Sequence, residues 1–102
     1  MKTIYVLRQE IYFDDAPFTQ TLSAGFRNDV EDMFRTVNQL EITSALEDKT
    51  YMIFFIDVVN QNSDKVKTDI IKIAETDFNF KEEGTLEWHY DDIDKILSGE
   101  YE

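Results

Sequence analysis

The residues able to do chemistry in this chain are few in kind. There is one imidazole, His89, there is no cysteine, and the four serines (Ser23, Ser44, Ser63 and Ser98) sit in no nucleophile-elbow context. Acyl transfer therefore lacks an activated nucleophile. His89 has the chemistry of a general base or of a switch near neutral pH. It alternates with Trp88 and Tyr90, however, and reads more simply as a partly exposed strand residue.

Carboxylates are abundant, and the 22 Asp and Glu residues make close acid pairs unavoidable, so such pairs carry no signal alone. Asp57 is distinctive because it interrupts an apolar run; burial there requires a donor or raises its pKa. The plainer reading is an end-of-strand carboxylate bonded to a neighbouring loop. Asp77 and Asn79 begin like a calcium loop, but Lys81 stands where the next oxygen ligand belongs, and the glycine and later glutamate are out of place. Asp91, Asp92 and Asp94 offer loose oxygen ligands and read better as the start of a helix. No catalytic residue, metal or cofactor is expected, and the chain is expected not to be an enzyme.

Charge is the stronger signal. Ten bases against 22 acids give a net charge of −12. That field repels nucleic acid and anionic membrane and draws basic proteins by long-range steering. It is uneven: residues 82–102 hold eight acids and only Lys95 as a base, a net −7. There is no glycine-rich phosphate loop, and the lysines Lys65, Lys67 and Lys72 alternate with acids, which argues against direct nucleic-acid binding.

The positioning elements follow from periodicity. At 102 residues, 42% of them hydrophobic, one domain with a real core is expected over residues 1–102. Lys2–Phe13 alternates as a strand, with Tyr5, Leu7, Ile11 and Phe13 on one face. Asp14–Pro17 reads as a turn. Phe18–Gly25 fits either a helical stripe or an edge strand. Asn28–Gln39 reads as a helix capped by Asn28 and Glu31, burying Val30, Met33, Phe34 and Val37. Leu40–Leu46 alternates as a strand or extends that helix.

Tyr51–Val59 is apolar on both faces and reads as a central strand covered at least in part on both sides. Ser63–Thr76 is expected to be a second helix, with Val66, Ile70, Ile73 and Ala74 inward. Residues 77–84 connect it to a last strand, Thr85–Tyr90, with Leu86, Trp88 and Tyr90 on one face. Asp91–Gly99 reads as a short helix stopped by Gly99. The expected fold is α+β: a small antiparallel sheet with two main helices on one face, in the ferredoxin-like order β-α-β-β-α-β plus a short C-terminal helix.

The longest apolar run, Tyr51–Ile56, is too short to cross a bilayer, and the N-terminal stretch reads as a strand and not a signal peptide, so a soluble, cytoplasmic protein without membrane contact is expected. A small acidic domain of this kind fits a binding or inhibitor module that neutralises a basic partner. Immunity proteins against nuclease toxins, and phage proteins that mimic DNA or disable host nucleic-acid enzymes, share that physical profile. The expected partner-binding residues are Glu82, Glu83, Glu87, Asp91, Asp92 and Asp94, with Tyr90 or Tyr101 as an aromatic anchor. The second expectation is a self-associating structural or regulatory module, a homodimer formed through an open apolar sheet face.

Overall fold

The structure, a computed structural model, describes residues 2–13, 16–78 and 84–102. Five strands form one antiparallel sheet: β1 (Lys2–Phe13), β2 (Ala16–Gly25), β3 (Tyr51–Asn62), β4 (Lys65–Asp77) and β5 (Thr85–Trp88), in the spatial order β2-β1-β3-β4-β5. A single 3-10 turn at Arg27–Asp29 leads into α1 (Val30–Gln39); α2 (Thr43–Glu47) is one short turn, and α3 (Tyr90–Leu97) follows β5. The order is β-β-α-α-β-β-β-α and not ferredoxin-like.

Three segments account for the difference. The predicted helix Ser63–Thr76 is β4, joined to β3 through Ser63 and Asp64, with Ser63 in the left-handed region at φ 56°. Six of its fourteen residues are Val, Thr or Ile, and their χ1 stiffness favours a pleated surface over a helix. The unassigned stretch before Gly25 is β2, paired along its length with β1. Leu40–Leu46 is not a strand: Leu40 closes α1, and Thr43–Glu47 is helical.

Period-two alternation builds the core. On β1 Tyr5 and Leu7, and on β3 Met52, Phe54, Ile56 and Val58, point to one face and are buried. The buried side chains Val30, Met33 and Val37 of α1 and Ile93 and Ile96 of α3 complete the same cluster. Each large side chain so buried contributes roughly 1.5–3 kcal/mol before entropy is counted. At the bulge between Phe54 and Phe55 of β3, β4 has one residue extra, so Ile73 and Ala74 are both fully buried.

α1 begins two residues later than expected, and its cap differs. Asp29, not Asn28, stands at its start, and the Asp29 carboxylate accepts a hydrogen bond from the Phe26 backbone N–H at 2.9 Å. Gly25 makes room for this, since a Cβ there would come within 2.3 Å of Asp29 Oδ2. α3 ends as the sequence suggests. Gly99 takes φ 80°, the Gly99 N–H reaches Ile96 O at 3.1 Å and the Glu100 N–H reaches Lys95 O at 3.1 Å, a Schellman closure. The Arg27 guanidinium donates to Ile96 O at 3.1 Å and also to Leu97 O, placing a cation on the negative end of α3.

Among the described residues no helix packs on the sheet's second face. At the Tyr12–Tyr51 end its own side chains cover it instead, while Val66 and Ile70 of β4 stay 64% and 63% exposed on it. Arg8 lies 4.4 Å above the Phe55 ring and bonds Asp57 through Nε at 2.9 Å and Nη2 at 3.3 Å, while its Nη1 meets Glu10 at 3.1 Å. The Tyr12 and Tyr51 rings meet at 5.3 Å with their planes tilted by 52°, and Ile53 at this end keeps only 7% exposure. Asp57 is thus partnered by an arginine on the neighbouring strand and not by a loop.

Candidate functional site

The site is built where β4, β5 and the start of α3 meet. β5 pairs with β4 so that Glu87 lies opposite Glu75 and Trp88 opposite Ala74. The chain then turns at His89, whose N–H bonds Ile73 O at 2.8 Å, and enters α3 at Tyr90. This fixes the first turn of α3 against the end of the sheet. An open concavity of about 680 Å³ results, with Glu75, Asp77, Glu87, Asp91 and Asp92 around it together with His89, Trp88 and Tyr90.

His89 stands between two carboxylates, Nε2 3.6 Å from Glu75 Oε1 and Nδ1 3.8 Å from Asp92 Oδ2. Glu75 is held further by Lys72 at 3.1 Å and by the Tyr51 hydroxyl, which donates at 2.9 Å. Burial works to raise the Glu75 carboxyl, but hydrogen bonds from Lys72 and Tyr51, with the charges of Lys72 and His89, outweigh it and hold Glu75 below the ordinary carboxylate range. Burial first, and then the Glu75 hydrogen bond, push the Tyr51 hydroxyl up to about 12.

The one hydroxyl of the threonine lining the concavity, Thr76, accepts from the Met52 N–H at 3.0 Å and faces Thr50 O at 3.5 Å, so it is committed to the fold. Among the described residues no group of acids and imidazoles has the geometry to hold a metal ion. The chemistry that this arrangement does offer is acceptance: several carboxylates line a space open enough to admit a guanidinium or ammonium group.

A second, smaller notch of about 250 Å³ opens beside it, lined by Phe34, Asn38, Trp88, Tyr90 and Ile93. Phe34 and Trp88 meet edge to face at 6.4 Å. Trp88 and Tyr90 belong to both spaces and form the wall between them. Tyr90 is 69% exposed, the most exposed large apolar side chain of the described residues, because it starts α3 and does not continue β5. Its expected place on the core face with Leu86 and Trp88 is thereby corrected.

Of the residues expected from sequence, Glu87, Tyr90, Asp91 and Asp92 come together on this face. Asp94 is exposed one turn further along α3 and does not line the concavity. Glu82 and Glu83 lie outside the described residues, as does most of the expected 77–84 connection, and so do Asp14 and Asp15 of the expected turn.

Tyr101 sits at the other end of α3. Its carbonyl accepts from Asn60 Nδ2 at 2.6 Å and its side chain packs on the core. Beside it the Tyr5 hydroxyl donates to Glu102 Oε1 at 2.5 Å, and Asn60 Oδ1 accepts from Thr3 at 2.7 Å. Residues that sequence reasoning missed are Glu75 and Asp77; both carry negative charge that reaches the site only if Lys65–Asp77 is a strand.

Among the described residues no helix is long and apolar enough to cross a membrane. In comparisons with protein-family models, curated proteins and solved structures, nothing matches this chain.

Proposed function

We propose that this protein is a non-enzymatic binding module that neutralises a basic protein, with the face around Tyr90 as its contact surface. The observation that carries the reading is the position of Tyr90, 69% exposed on the wall between an acidic concavity and an aromatic notch. Exposed aromatics ringed by charge are what binding hot spots are made of, and truncating one typically costs about 2 kcal/mol or more. An arginine or lysine of the partner fits the concavity, its charge met by Glu87, Asp91 and Asp92 and its stem lying along Tyr90. The net charge of −12 supplies the steering. Partners of this chemistry include nuclease toxins and host enzymes that handle nucleic acid, whose phosphate-binding sites accept carboxylates in place of phosphate. A cytoplasmic location belongs to the same proposal and is supported by the lack of cysteine.

Two measurements test it. The first titrates isotope-labelled protein with a short arginine-rich peptide and follows amide shifts. Shifts confined to Glu75, Glu87 and Tyr90–Asp92, weakened by salt and lost in Asp91→Lys/Asp92→Lys, support the site. Shifts spread evenly over all acidic surfaces defeat it. The second measures inhibition of a basic nuclease captured at low salt: stoichiometric loss of its activity, restored by the same charge reversal and weakened by Tyr90→Ala, is the expected result. A captured enzyme that keeps full activity in the complex refutes neutralisation.

A further inference from the structure

The opposite edge of the sheet has another character. β2 is an outer strand, paired only with β1, and Ala16–Thr21 are all exposed. Apart from the ladder to β1, no backbone hydrogen bond of Ala16–Ala24 is formed among the described residues. Its outward N–H and C=O groups are open. Edge strands are normally protected by charge, proline, a bulge or a cover. β2 has Pro17 near its start and a bulge at Leu22, but its middle has neither. It also has no charge: although 31% of the chain is charged, no charged residue occurs from Ala16 to Phe26.

Charge across the molecule is arranged to match. Residues 1–26 hold Lys2 and Arg8 against Glu10, Asp14 and Asp15, a net −1, which leaves −11 of the total −12 to residues 27–102. The acidic face at β5 and α3 lies on the far side of the sheet from β2. Two copies of so acidic a protein repel each other on most approaches. The β2 edge is where they meet with least repulsion.

We propose that β2 pairs antiparallel with β2 of a second copy, joining two five-stranded sheets into one of ten strands about a two-fold axis near Gln20. This register is self-consistent with the faces seen within each copy. Phe18, Gln20 and Leu22 belong to the helix-side face, where Gln20 Nε2 donates to Gln9 Oε1 at 2.7 Å, and Thr19 and Thr21 belong to the other. Gln20 then lies opposite its own copy, Thr19 opposite Thr21, and Phe18 opposite Leu22. Phe18, 52% exposed in the single chain, gains an apolar neighbour. Pro17, which cannot donate, falls outside this central ladder. The acidic β5 edges end up nine inter-strand gaps apart, about 43 Å at about 4.8 Å per gap, well beyond a Debye length of about 8 Å at physiological salt.

The test uses charge at two exposed threonines that point away from the core. Thr19→Asp/Thr21→Asp and Thr19→Lys/Thr21→Lys each set like charges opposite one another across the two-fold axis, whereas a mixture sets opposite charges together. Sedimentation equilibrium is expected to give a dimer for the native chain at tens of micromolar, at least a hundredfold weaker dimerisation for each variant alone, and recovery of the dimer on mixing the two. Amide exchange in Phe18–Leu22 is expected to slow as native protein concentration rises. A native chain that is monomeric at several hundred micromolar overturns the proposal. So does a dimer that persists in both variants, because it then uses another surface, and so does protection of β2 that appears only when a different protein is added. None of these substitutions touches the Tyr90 face, so this proposal and the proposed function fail separately.

Discussion

Replacing Arg8 by alanine is expected to destabilise the protein by about 3 kcal/mol. Arg8 holds three partners at once: Asp57 through two nitrogens, Glu10 at 3.1 Å, and the face of Phe55 at 4.4 Å. The side chains of Arg8 and Asp57 keep only 19% and 16% exposure, although no helix among the described residues packs on this side of the sheet. Removing the guanidinium leaves Asp57 and Glu10 half-buried without a cation. For a fully buried pair that loss runs at about 3–5 kcal/mol, and residual solvent access brings it to the low end or below. The lost cation–π contact adds about 1 kcal/mol. Against a total stability of about 5–15 kcal/mol for a domain, the effect is large. At an m-value of about 1.5 kcal/mol/M the urea midpoint falls by about 2 M.

A double-mutant cycle with Asp57→Asn separates the pair from the packing of the arginine stem, and a coupling of about 1.5 kcal/mol or more is expected. Arg8→Met/Asp57→Leu, which removes both charges and keeps apolar cover over Phe55, is expected to recover most of the loss. If Arg8→Ala costs less than about 1 kcal/mol, the cluster behaves as an ordinary exposed ion pair, and the idea that Arg8 closes this face of the sheet is wrong.

Two further predictions concern the same sheet. Folding raises the Tyr51 pKa from its ordinary 10.0 to about 12, so its contribution to stability is complete below pH 10 and is lost as pH rises through 12. Ultraviolet titration of Tyr51→Phe is expected to lose a component near pH 12, and Glu75→Gln is expected to move that component down without bringing it to 10, because burial is the larger cause; loss of a component near pH 10 contradicts this. At the β3–β4 turn, Ser63→Gly removes the steric cost of φ 56° and is expected to raise stability by up to about 1 kcal/mol in urea melts, whereas a loss of stability means that the serine side chain is needed there.

The local signals were sound where one face of an element is buried and misleading where the ladder is irregular. Asn28–Gln39 and Asp91–Gly99 were legible because their apolar spacing fits a single period, Tyr51–Val59 because its apolar run is almost unbroken, and Gly99 marked a real stop. β4 was misread because the bulge opposite Phe54 and Phe55 buries Ile73 and Ala74 in succession. Two adjacent buried residues imitate one helical stripe, and Val66 and Ile70 at four-residue spacing completed the imitation, although they are 64% and 63% exposed on the face away from the helices. The density of Val, Thr and Ile was the better guide. β2 stayed ambiguous because the spacing of Phe18, Leu22 and Phe26 fits a helical stripe as well as an exposed edge strand. At the site, Tyr90, Asp91 and Asp92 could be read as the first turn of a helix, whereas Glu75 joins them only across the β4–β5 ladder. Nothing in the order of residues announced that Tyr101 and Glu102 fold back onto Asn60 and Tyr5.

The two sheet edges have opposite electrostatic character, and this bears on how the proposed activities combine. A single acidic surface that also self-associated would have to overcome its own repulsion in order to bind itself, and would then hide the charge meant for a partner. Here the near-neutral first 26 residues supply one edge, and β5 with the start of α3 supplies the other. Pairing through β2 therefore leaves both Tyr90 faces open, pointing outward at opposite ends of the joined sheet. Their separation is several Debye lengths, so a basic protein bound at one end does not screen the other. Each end then binds with the same intrinsic affinity, and a dimer titrates two partners without cooperativity. A partner that is itself dimeric gains further affinity only if its own basic sites are spaced to match, through effective concentration and not through any new contact. Charge reversal at Asp91 and Asp92 is accordingly expected to weaken partner binding and leave the dimer intact, while Thr19→Asp/Thr21→Asp separates the dimer and leaves the intrinsic affinity of each face unchanged.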